Sequence, residues 1–348
     1  MKVIFVVPSF SIIGGIANHY LGLNDYWRIR FRYSVEGRRR RIPAMLCLLP
    51  DYIAFIAKLI VFRPDIVVVN PSLGRYMLVR DGIYLLLAKL FGRKTICFFH
   101  GWRKGCANAI AANPNLFNKI YGKANLTYVL YSGFEKQLRS WGFKGKVKLN
   151  TTKVDDKLLS GFDMATRQRK PSRLLFLARV VREKGIFTVL DTFGLLKARH
   201  PELTLAIVGD GADLPEAKAY AKAHEIPDIT FTGGLRGNDI ARQYADSDLY
   251  ILPTHSEGMA TTVLEAMAFG LPVVTRPVGG VVDFFEQGRM GYLVESLEPE
   301  AYAARIEEII DNTALYRTMA ETNYEYAQSH FYASQVAKRM ETDFSTLL

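Results

Sequence analysis

Short β-branched and aromatic runs alternate with longer stretches of helical period along the whole chain. In the first half, residues 3–7, 66–69, 95–99 and 126–130 read as strands, with helical patterns between them at 16–21, 76–91 and 134–141. The second half begins the alternation again. Its strands are expected at 173–178, 203–208, 229–231, 249–252, 273–275 and 292–294, and its helices at 186–199, 214–224, 240–245, 261–269 and 300–311. The helix at 261–269 should stop at Gly270, with Pro272 just beyond it. Nearly continuous apolar strands that alternate with helices predict parallel sheets covered on both faces. The polar stretch 149–170, which contains Asn150-Thr151-Thr152 and Arg167-Gln168-Arg169-Lys170, is the linker expected between two such domains. The fold class is therefore α/β, with two doubly wound, Rossmann-like domains.

Sheets of this kind bind ligands at the carboxyl ends of their strands. The polar and glycine-rich features of the chain fall at those ends. Gly14-Gly15 follows the first strand, His100 the strand at 95–99, and Arg179 the strand at 173–178. Gly209-Asp210-Gly211, Gly233-Gly234 and the loop from Thr254 to Gly258 follow three more. Together they describe a cleft. Gly14 and Gly15 precede a helix whose first N–H groups can meet a phosphate, although no complete G-x-G-x-x-G is present. Arg179 and Lys184 supply a guanidinium fork and a point charge, and can clamp a diphosphate and neutralise it as a leaving group without a metal. Glu257 lies in a loop, and Glu265 about one turn into the next helix, among Leu264, Ala266 and Met267. A carboxylate in such apolar company wants a hydroxyl partner, such as a ribose or a sugar. His100 can bond a sugar hydroxyl or an oxygen that gains charge during transfer. Asp246-Ser247-Asp248 has the look of an Asp-x-Asp metal motif. It falls at the amino end of a strand, the wrong end of the sheet, so capping or solvation is the better reading. No His/Cys set has zinc spacing.

Length and charge refine this picture. The 348 residues suffice for two ordinary domains. Cys47, Cys97 and Cys106 show no paired spacing, which fits a reducing compartment. The start reads as a strand rather than a signal peptide. The most apolar stretch, 43–62, is broken as a membrane span by Pro50, Asp51 and Lys58. The net charge of +11 is unevenly spread: residues 1–160 carry +18 and residues 161–348 carry −7.

The stretch from Ser256 to Val274, Ser-Glu-Gly-Met-Ala-Thr-Thr-Val-Leu-Glu-Ala-Met-Ala-Phe-Gly-Leu-Pro-Val-Val, resembles the signature of the retaining glycosyltransferases of family 4, in which two Glu residues are separated by seven others. Gly14-Gly15, Arg179 with Lys184-Gly185, Val208-Gly209-Asp210-Gly211 and Val278-Gly279-Gly280 extend the resemblance, which is close over 173–295 and loose over 1–150. It implies a GT-B fold: two Rossmann-like domains facing a cleft, with a C-terminal helix crossing back to the first. Boundaries of 1–155 for the acceptor domain, 156–330 for the nucleotide-sugar domain and 331–348 for the helix follow. The apolar positions Phe331, Val336, Met340 and Phe344 give that helix one buried face.

The resemblance further implies that Arg179 and Lys184 bind the donor diphosphate, Glu265 the ribose hydroxyls, and Glu257 the transferred sugar. Backbone around Gly258, Met259, Ala260, Thr261, Thr262 and Val263 would hold the sugar and the β-phosphate. His100 would contact the donor sugar, Gly14 and Gly15 would approach the phosphates, and Gly209 and Gly233 would border the nucleotide. It implies front-face retention, with the leaving phosphate oxygen taking the acceptor's proton. No cofactor and no metal are expected, only a nucleotide-sugar donor, UDP- or GDP-linked. The sequence departs from the family's pattern at Met259-Ala260, where an aromatic is common, and at Ala178, where a glycine is usual.

The basic first half asks for a polyanion. Arg28, Arg30 and Arg32 alternate with Ile29, Phe31 and Tyr33; Arg38-Arg39-Arg40-Arg41 follows; then comes an apolar helix from Ile42 to Ile60. Basic residues beside such a helix suit an anionic membrane surface. An acidic soluble partner and a plainly solvated face are the other readings, and no nucleic-acid motif accompanies the charge. The expected acceptor is a saccharide, lipid-linked, and the expected location is cytoplasmic, peripheral at the inner membrane face. A nucleotide-sugar epimerase of the same shape, a non-catalytic partner protein that has kept the fold, and a dinucleotide oxidoreductase are the rival readings.

Overall fold

The computed structural model describes residues 1–348 except 12–13, 38–43 and 169. In chain order, its elements are β1 (Lys2–Pro8), α1 (Gly15–Leu23), β2 (Arg30–Glu36), α2 (Ala44–Val61), β3 (Ile66–Val69), β4 (Ser72–Leu73), α3 (Arg75–Leu90), β5 (Lys94–Phe99), β6 (Gly101–Trp102), α4 (Lys104–Ala112), α5 (Asn115–Tyr121), β7 (Leu126–Val129), α6 (Ser132–Ser140) and β8 (Val147–Leu149). There follow β9 (Arg173–Leu177), α7 (Ile186–Arg199), β10 (Thr204–Val208), α8 (Leu214–Ala223), β11 (Ile229–Gly233), α9 (Asn238–Asp246), β12 (Leu249–Leu252), α10 (Thr261–Ala268), β13 (Val273–Thr275), β14 (Gly291–Leu293), α11 (Pro299–Asp311), α12 (Thr313–His330) and α13 (Ala333–Ser345). The chain divides into two units. Unit 1 is Met1–Lys153 with Ala333–Leu348, and unit 2 is Val154–Tyr332.

Unit 1 is built on a parallel sheet of order β2-β1-β3-β5-β7-β8. The order reverses between β1 and β3, so the carboxyl ends of these two strands form a topological switch point. The central strands are Ile, Val and Phe almost throughout and fully buried, as strands covered on both faces must be. The edge strand β2 differs. Its exposed Arg30 and Arg32 alternate with half-buried Phe31 and Tyr33, and the Arg32 guanidinium lies 5.9 Å from the Phe62 ring. This period of two is the signature of a half-buried strand, and charge on an edge blunts it against further pairing. The alternation read above as part of a membrane-docking stretch is therefore the solvent face of a strand. The arginines at 38–41 lie outside the described residues. The apolar helix expected after them is α2, with Phe55 and Leu59 buried and Leu46, Leu49, Ile53 and Ile60 exposed along the opposite face.

Helix α13 closes unit 1. Val336, Ala337, Met340 and Phe344 are buried, with the Phe344 ring 6.2 Å from Phe5 and 6.3 Å from Trp27. Asp343 accepts from the Tyr128 hydroxyl at 2.8 Å and pairs with Lys148 at 2.5 Å. Phe331 does not share this face. It follows α12, and its ring packs on Phe284 at 4.9 Å in unit 2.

Unit 2 carries the order β11-β10-β9-β12-β13-β14, whose switch point lies between β9 and β12. Helix α10 ends before Gly270 as expected. The stretch read as a linker is largely part of this unit. Arg167 is buried and donates to the carbonyl oxygens of Phe269 and Tyr244, each at 2.9 Å, and of Ser247. It thereby ties the end of α10 to the end of α9. Ser247 and Asp248 are fully buried, and the Asp248 carboxylate accepts the N–H groups of Ser172 and Arg173 at 2.9 Å. Asp248 is thus a buried backbone anchor at the amino end of β9, whereas Asp246 is exposed, as the solvated reading of that position expects.

Candidate functional site

At the unit 2 switch point, three sequence-distant segments meet. The loop that follows β12, residues 253–260, is bonded on one side to the turn after β9: His255 N–H donates to the Glu183 carbonyl at 2.8 Å, and the Thr254 hydroxyl donates to the same oxygen at 3.3 Å. On the other side, Gly280 N–H donates to the Gly258 carbonyl at 2.7 Å. Gly279 has a φ of +68°, and a Cβ there would lie 2.6 Å from the Glu257 carbonyl oxygen, so only glycine lets the two backbones approach this closely. The motifs at 184–185, 256–265 and 278–280 are one physical assembly.

Within it, Lys184 and Glu257 form an ion pair, each side chain only about one-sixth exposed. Glu265, on the first turns of α10, accepts from the Tyr244 hydroxyl at 2.8 Å. Tyr244 is fully buried, and burial followed by the Glu265 charge holds its phenol well above the usual range, so it acts as a donor. The Tyr250 hydroxyl lies 2.7 Å from Thr262 Oγ1 and 2.9 Å from the Leu177 carbonyl, joining α10 to β9. Ala260 caps α10 without a side-chain hydrogen bond, and the backbone N–H groups of Thr261 and Thr262 open the helix. The Val263 N–H, expected to join them, donates to the Ala260 carbonyl at 3.0 Å. Met259 and Ala260 line the approach to α10, half-buried.

The cations after β9 are not equivalent. Arg182 is engaged by Glu216 and lies over the Phe187 ring at 4.4 Å. Arg179 is exposed and, among the described residues, has no acidic partner. Gly209 serves the loop architecture. Its φ is +138°, a Cβ would meet the Ala178 carbonyl at 1.9 Å, and its N–H donates to the Gly233 carbonyl at 2.9 Å. Asp210 in turn accepts the Gly234 N–H at 2.9 Å.

Unit 1 has its own polar centre at its switch point. Asn70, directly after β3, donates through Nδ2 to the Val6 carbonyl at 2.9 Å. Its Oδ1 therefore faces the Tyr20 hydroxyl at 2.9 Å and His100 Nε2 at 3.1 Å. Burial pushes the His100 imidazole down to about 3, so the ring is neutral. With Nε2 carrying the proton toward Asn70, Nδ1 is left as a hydrogen-bond acceptor. His100 can thus take a hydroxyl proton donor; it is not built to stabilise an oxyanion. His19, fully buried on α1 with its ring 5.3 Å from His100, has both ring nitrogens without a hydrogen-bond partner. Its pKa is lowered well below normal by burial first and then by His100 and Lys153. Gly14 and Gly15 start α1 with no side-chain cap, and a Cβ on either would meet nothing within 4 Å. Neither chain conformation nor packing demands glycine there.

Asn70, Tyr244 and Tyr250 escaped the sequence reading. Asn70 was visible as the first polar residue after four β-branched ones. Tyr250 had only the signal of a hydroxyl among the aliphatic residues of β12, and Tyr244, between Gln243 and Ala245, had none. Among the described residues, no group of three His, Cys, Asp or Glu side chains is placed to hold a metal ion.

Residues 163–326 match the family described as Glycosyl transferases group 1. An uncharacterized glycosyltransferase of Haemophilus influenzae is 33% identical over 150 residues, covering 42% of this chain and 42% of that protein. The capsular polysaccharide biosynthesis glycosyltransferase CapM of Staphylococcus aureus is 23% identical over 175 residues, covering 50% of this chain and 46% of that protein. The chain spans about half the length of these curated relatives. The solved structure of Anabaena HepE in complex with UDP and glucose superposes with a TM-score of 0.75 over 99% of this chain and 100% of that one, at 17% identity. Residues 163–326 thus resemble group 1 glycosyl transferases, and the chain has the GT-B fold.

Proposed function

We propose that the protein is a retaining, metal-independent glycosyltransferase of family 4 type, which moves a sugar from a UDP- or GDP-sugar to a saccharide acceptor, lipid-linked, in cell-surface polysaccharide biosynthesis. One observation carries this reading: the loop that holds Glu257 is clamped between the Lys184 turn and Gly279-Gly280, beside an uncapped helix start and the Tyr244-anchored Glu265. In the free protein, Lys184 and Glu257 neutralise each other. A diphosphate draws Lys184 to itself, with Arg179 as the second cation, and releases the Glu257 carboxylate to the hydroxyls of the sugar. The N–H groups from Met259 to Thr262 meet the β-phosphate and sugar, and Glu265 the ribose. Two cations and a helix start stabilise the departing diphosphate, and its oxygen takes the acceptor's proton. On unit 1, His100 Nδ1 accepts from a sugar hydroxyl, and the open start of α1 admits an anionic group. HepE is described with UDP and glucose, and CapM as a capsular polysaccharide enzyme, which supports the same donor and product classes here.

No helix among the described residues is long and apolar enough to cross a membrane. The exposed Leu46, Leu49, Ile53 and Ile60 of α2 support peripheral association with an anionic bilayer, on the cytoplasmic side. Co-flotation with anionic liposomes at low salt is expected, and its absence removes that part of the proposal.

The reaction is tested by incubating the protein with UDP-, GDP- and ADP-sugars, with and without a chelator, and identifying products by NMR. Slow release of one sugar with the donor's anomeric configuration, undiminished by chelation, is expected. An epimerised free sugar would instead assign an epimerase, and thermal stabilisation by NAD alone a dinucleotide enzyme.

A further inference from the structure

Strands β4 and β6 pair in parallel, Ser72 with Gly101 and Leu73 with Trp102. Helix α3 begins two residues after Leu73, and α4 two residues after Trp102, so the two helices leave the same edge side by side. Arg75 and Arg103 therefore stand at one end of the space between α3 and the α4–α5 pair. That space is a groove of about 1020 Å³ within unit 1, lined by Leu78, Val79, Ile110, Leu116, Phe117 and Ile120, with Cys106 in its wall. Its size reaches the top of the roughly 300–1,000 Å³ common for small-molecule pockets. Among the described residues, the lining contains both arginines and no carboxylate. Both arginines are exposed and, among the described residues, neither has an acidic partner. Val79 and Leu116, both in the lining, stay 61% and 67% exposed, which leaves large aliphatic surface open to solvent in the groove.

An apolar trough with positive charge at one end only is complementary to a molecule with a hydrocarbon body and an anionic head. The charged end belongs to the segment that begins at His100, since Gly101 opens β6 and Arg103 precedes α4. We propose that this groove holds the hydrocarbon chain of a phosphate-bearing lipid, with the phosphate on Arg75 and Arg103, and that it is where a lipid-linked acceptor is gripped. The inference rests on the reading of the chain as a glycosyltransferase with a lipid-borne acceptor. It places the lipid's chain within unit 1, apart from the broad apolar face of α2.

The test uses the full chain without donor, and dodecyl phosphate below its micelle concentration, with dodecanol and inorganic phosphate as comparisons. Binding is followed by calorimetry and by the rate at which a thiol reagent modifies Cys106, the half-exposed cysteine; Cys47 and Cys97 are buried. Dodecyl phosphate should bind more tightly than either comparison and slow Cys106 modification. Val79→Glu and Leu116→Glu, at exposed positions that the fold tolerates, should weaken it by about tenfold or more with melting temperature unchanged, because each sets a charge in the apolar trough. Arg75→Glu with Arg103→Glu should weaken dodecyl phosphate and leave dodecanol alone. Unchanged affinity in the glutamate variants, or equal binding of dodecanol and dodecyl phosphate, overturns the proposal. So does binding to anionic vesicles that leaves Cys106 unprotected, which assigns the charge to a membrane surface. Self-association abolished by Val79→Glu, with no amphiphile bound, assigns the groove to a second copy of the chain. If dodecyl phosphate fails while donor hydrolysis persists, only the lipid groove falls; if it binds and no nucleotide sugar is turned over, only the transferase reading falls.

Discussion

Glu257 and Glu265 are held differently, and the difference separates their predicted phenotypes. Glu257 is tied to Lys184; on the proposed function, a diphosphate takes that lysine away and frees the carboxylate only when donor is bound. Glu257→Ala should abolish transfer while a nucleoside diphosphate still binds, as titration calorimetry and a transfer assay on the same sample can show; unchanged transfer would refute its role. Glu265 is positioned by a buried phenol. Tyr244→Phe removes one hydrogen bond to a charge, worth about 1.5–3 kcal/mol, and should raise the KM for donor by roughly tenfold or more with little change in kcat. The imidazoles of unit 1 give a prediction with a definite sign. His19 and His100 are both neutral in the folded chain because burial lowers their pKa, whereas in the unfolded chain they titrate near about 6.5. Below that pH the unfolded chain binds more protons, so their contribution to stability is complete above about 6.5 and is lost as pH falls toward the folded-state values. The buried Glu36 and Asp81 beside Arg80 work the other way, because burial raises both carboxyls. The measurement is therefore the difference in unfolding free energy between wild type and His19→Phe. Wild type should lose up to about 1.4 kcal/mol per pH unit relative to the variant below pH 6.5. A flat difference would mean that His19 is charged or solvated.

At the scale of elements, the site depends on a loop gripped from both sides, and the grip on one side needs a glycine. Gly279→Ala puts a Cβ against the Glu257 carbonyl in a left-handed conformation, which costs of order 1–3 kcal/mol and displaces the loop. Activity should fall by more than tenfold, and the crystal structure of the variant should show the 256–260 loop shifted; full activity would mean that the clamp is not needed. This is also where sequence legibility divides. The four interior strands of the first sheet and the strands of the second were readable because buried parallel strands are apolar runs, and β3, β12 and β13 have the expected ends; the edge strands β2 and β8 were not read. Strand β2 was missed because its alternation of Arg with Phe and Tyr was read for its charge, although a period of two is structural first. Helix α12 was missed because its buried face is Tyr316, Met319, Ala320, Asn323 and Ala327, too polar and too small to stand out. Arg167 looked like linker charge, since no pattern in sequence announces an arginine whose partners are three carbonyls from residues 77 to 102 positions away. The site's charged members were legible from strand-end placement and spacing. The tyrosines that position them were not, because their meaning depends on which carboxylate or hydroxyl lies across the core.

The whole chain is organised so that its last helix completes the unit formed by its first 153 residues. Phe344 is fully buried beside Phe5 and Trp27, and Asp343 is bonded to Tyr128 and Lys148, so every major contact of α13 named here belongs to unit 1. A cavity left by Phe344→Ala should cost about 3–5 kcal/mol, and for a unit of this size that is a drop of roughly 10 °C in its melting temperature. The two units have separate cores and separate sheets, so the loss should fall on one of them. Calorimetry can assign the transitions, because a nucleoside diphosphate that binds unit 2 raises the transition of that unit and of no other. In Phe344→Ala the ligand-insensitive transition should move down while the ligand-sensitive one stays. If the ligand-sensitive transition falls by as much, the two units unfold as one, and α13 is a fastening for the whole chain instead of the final layer of unit 1.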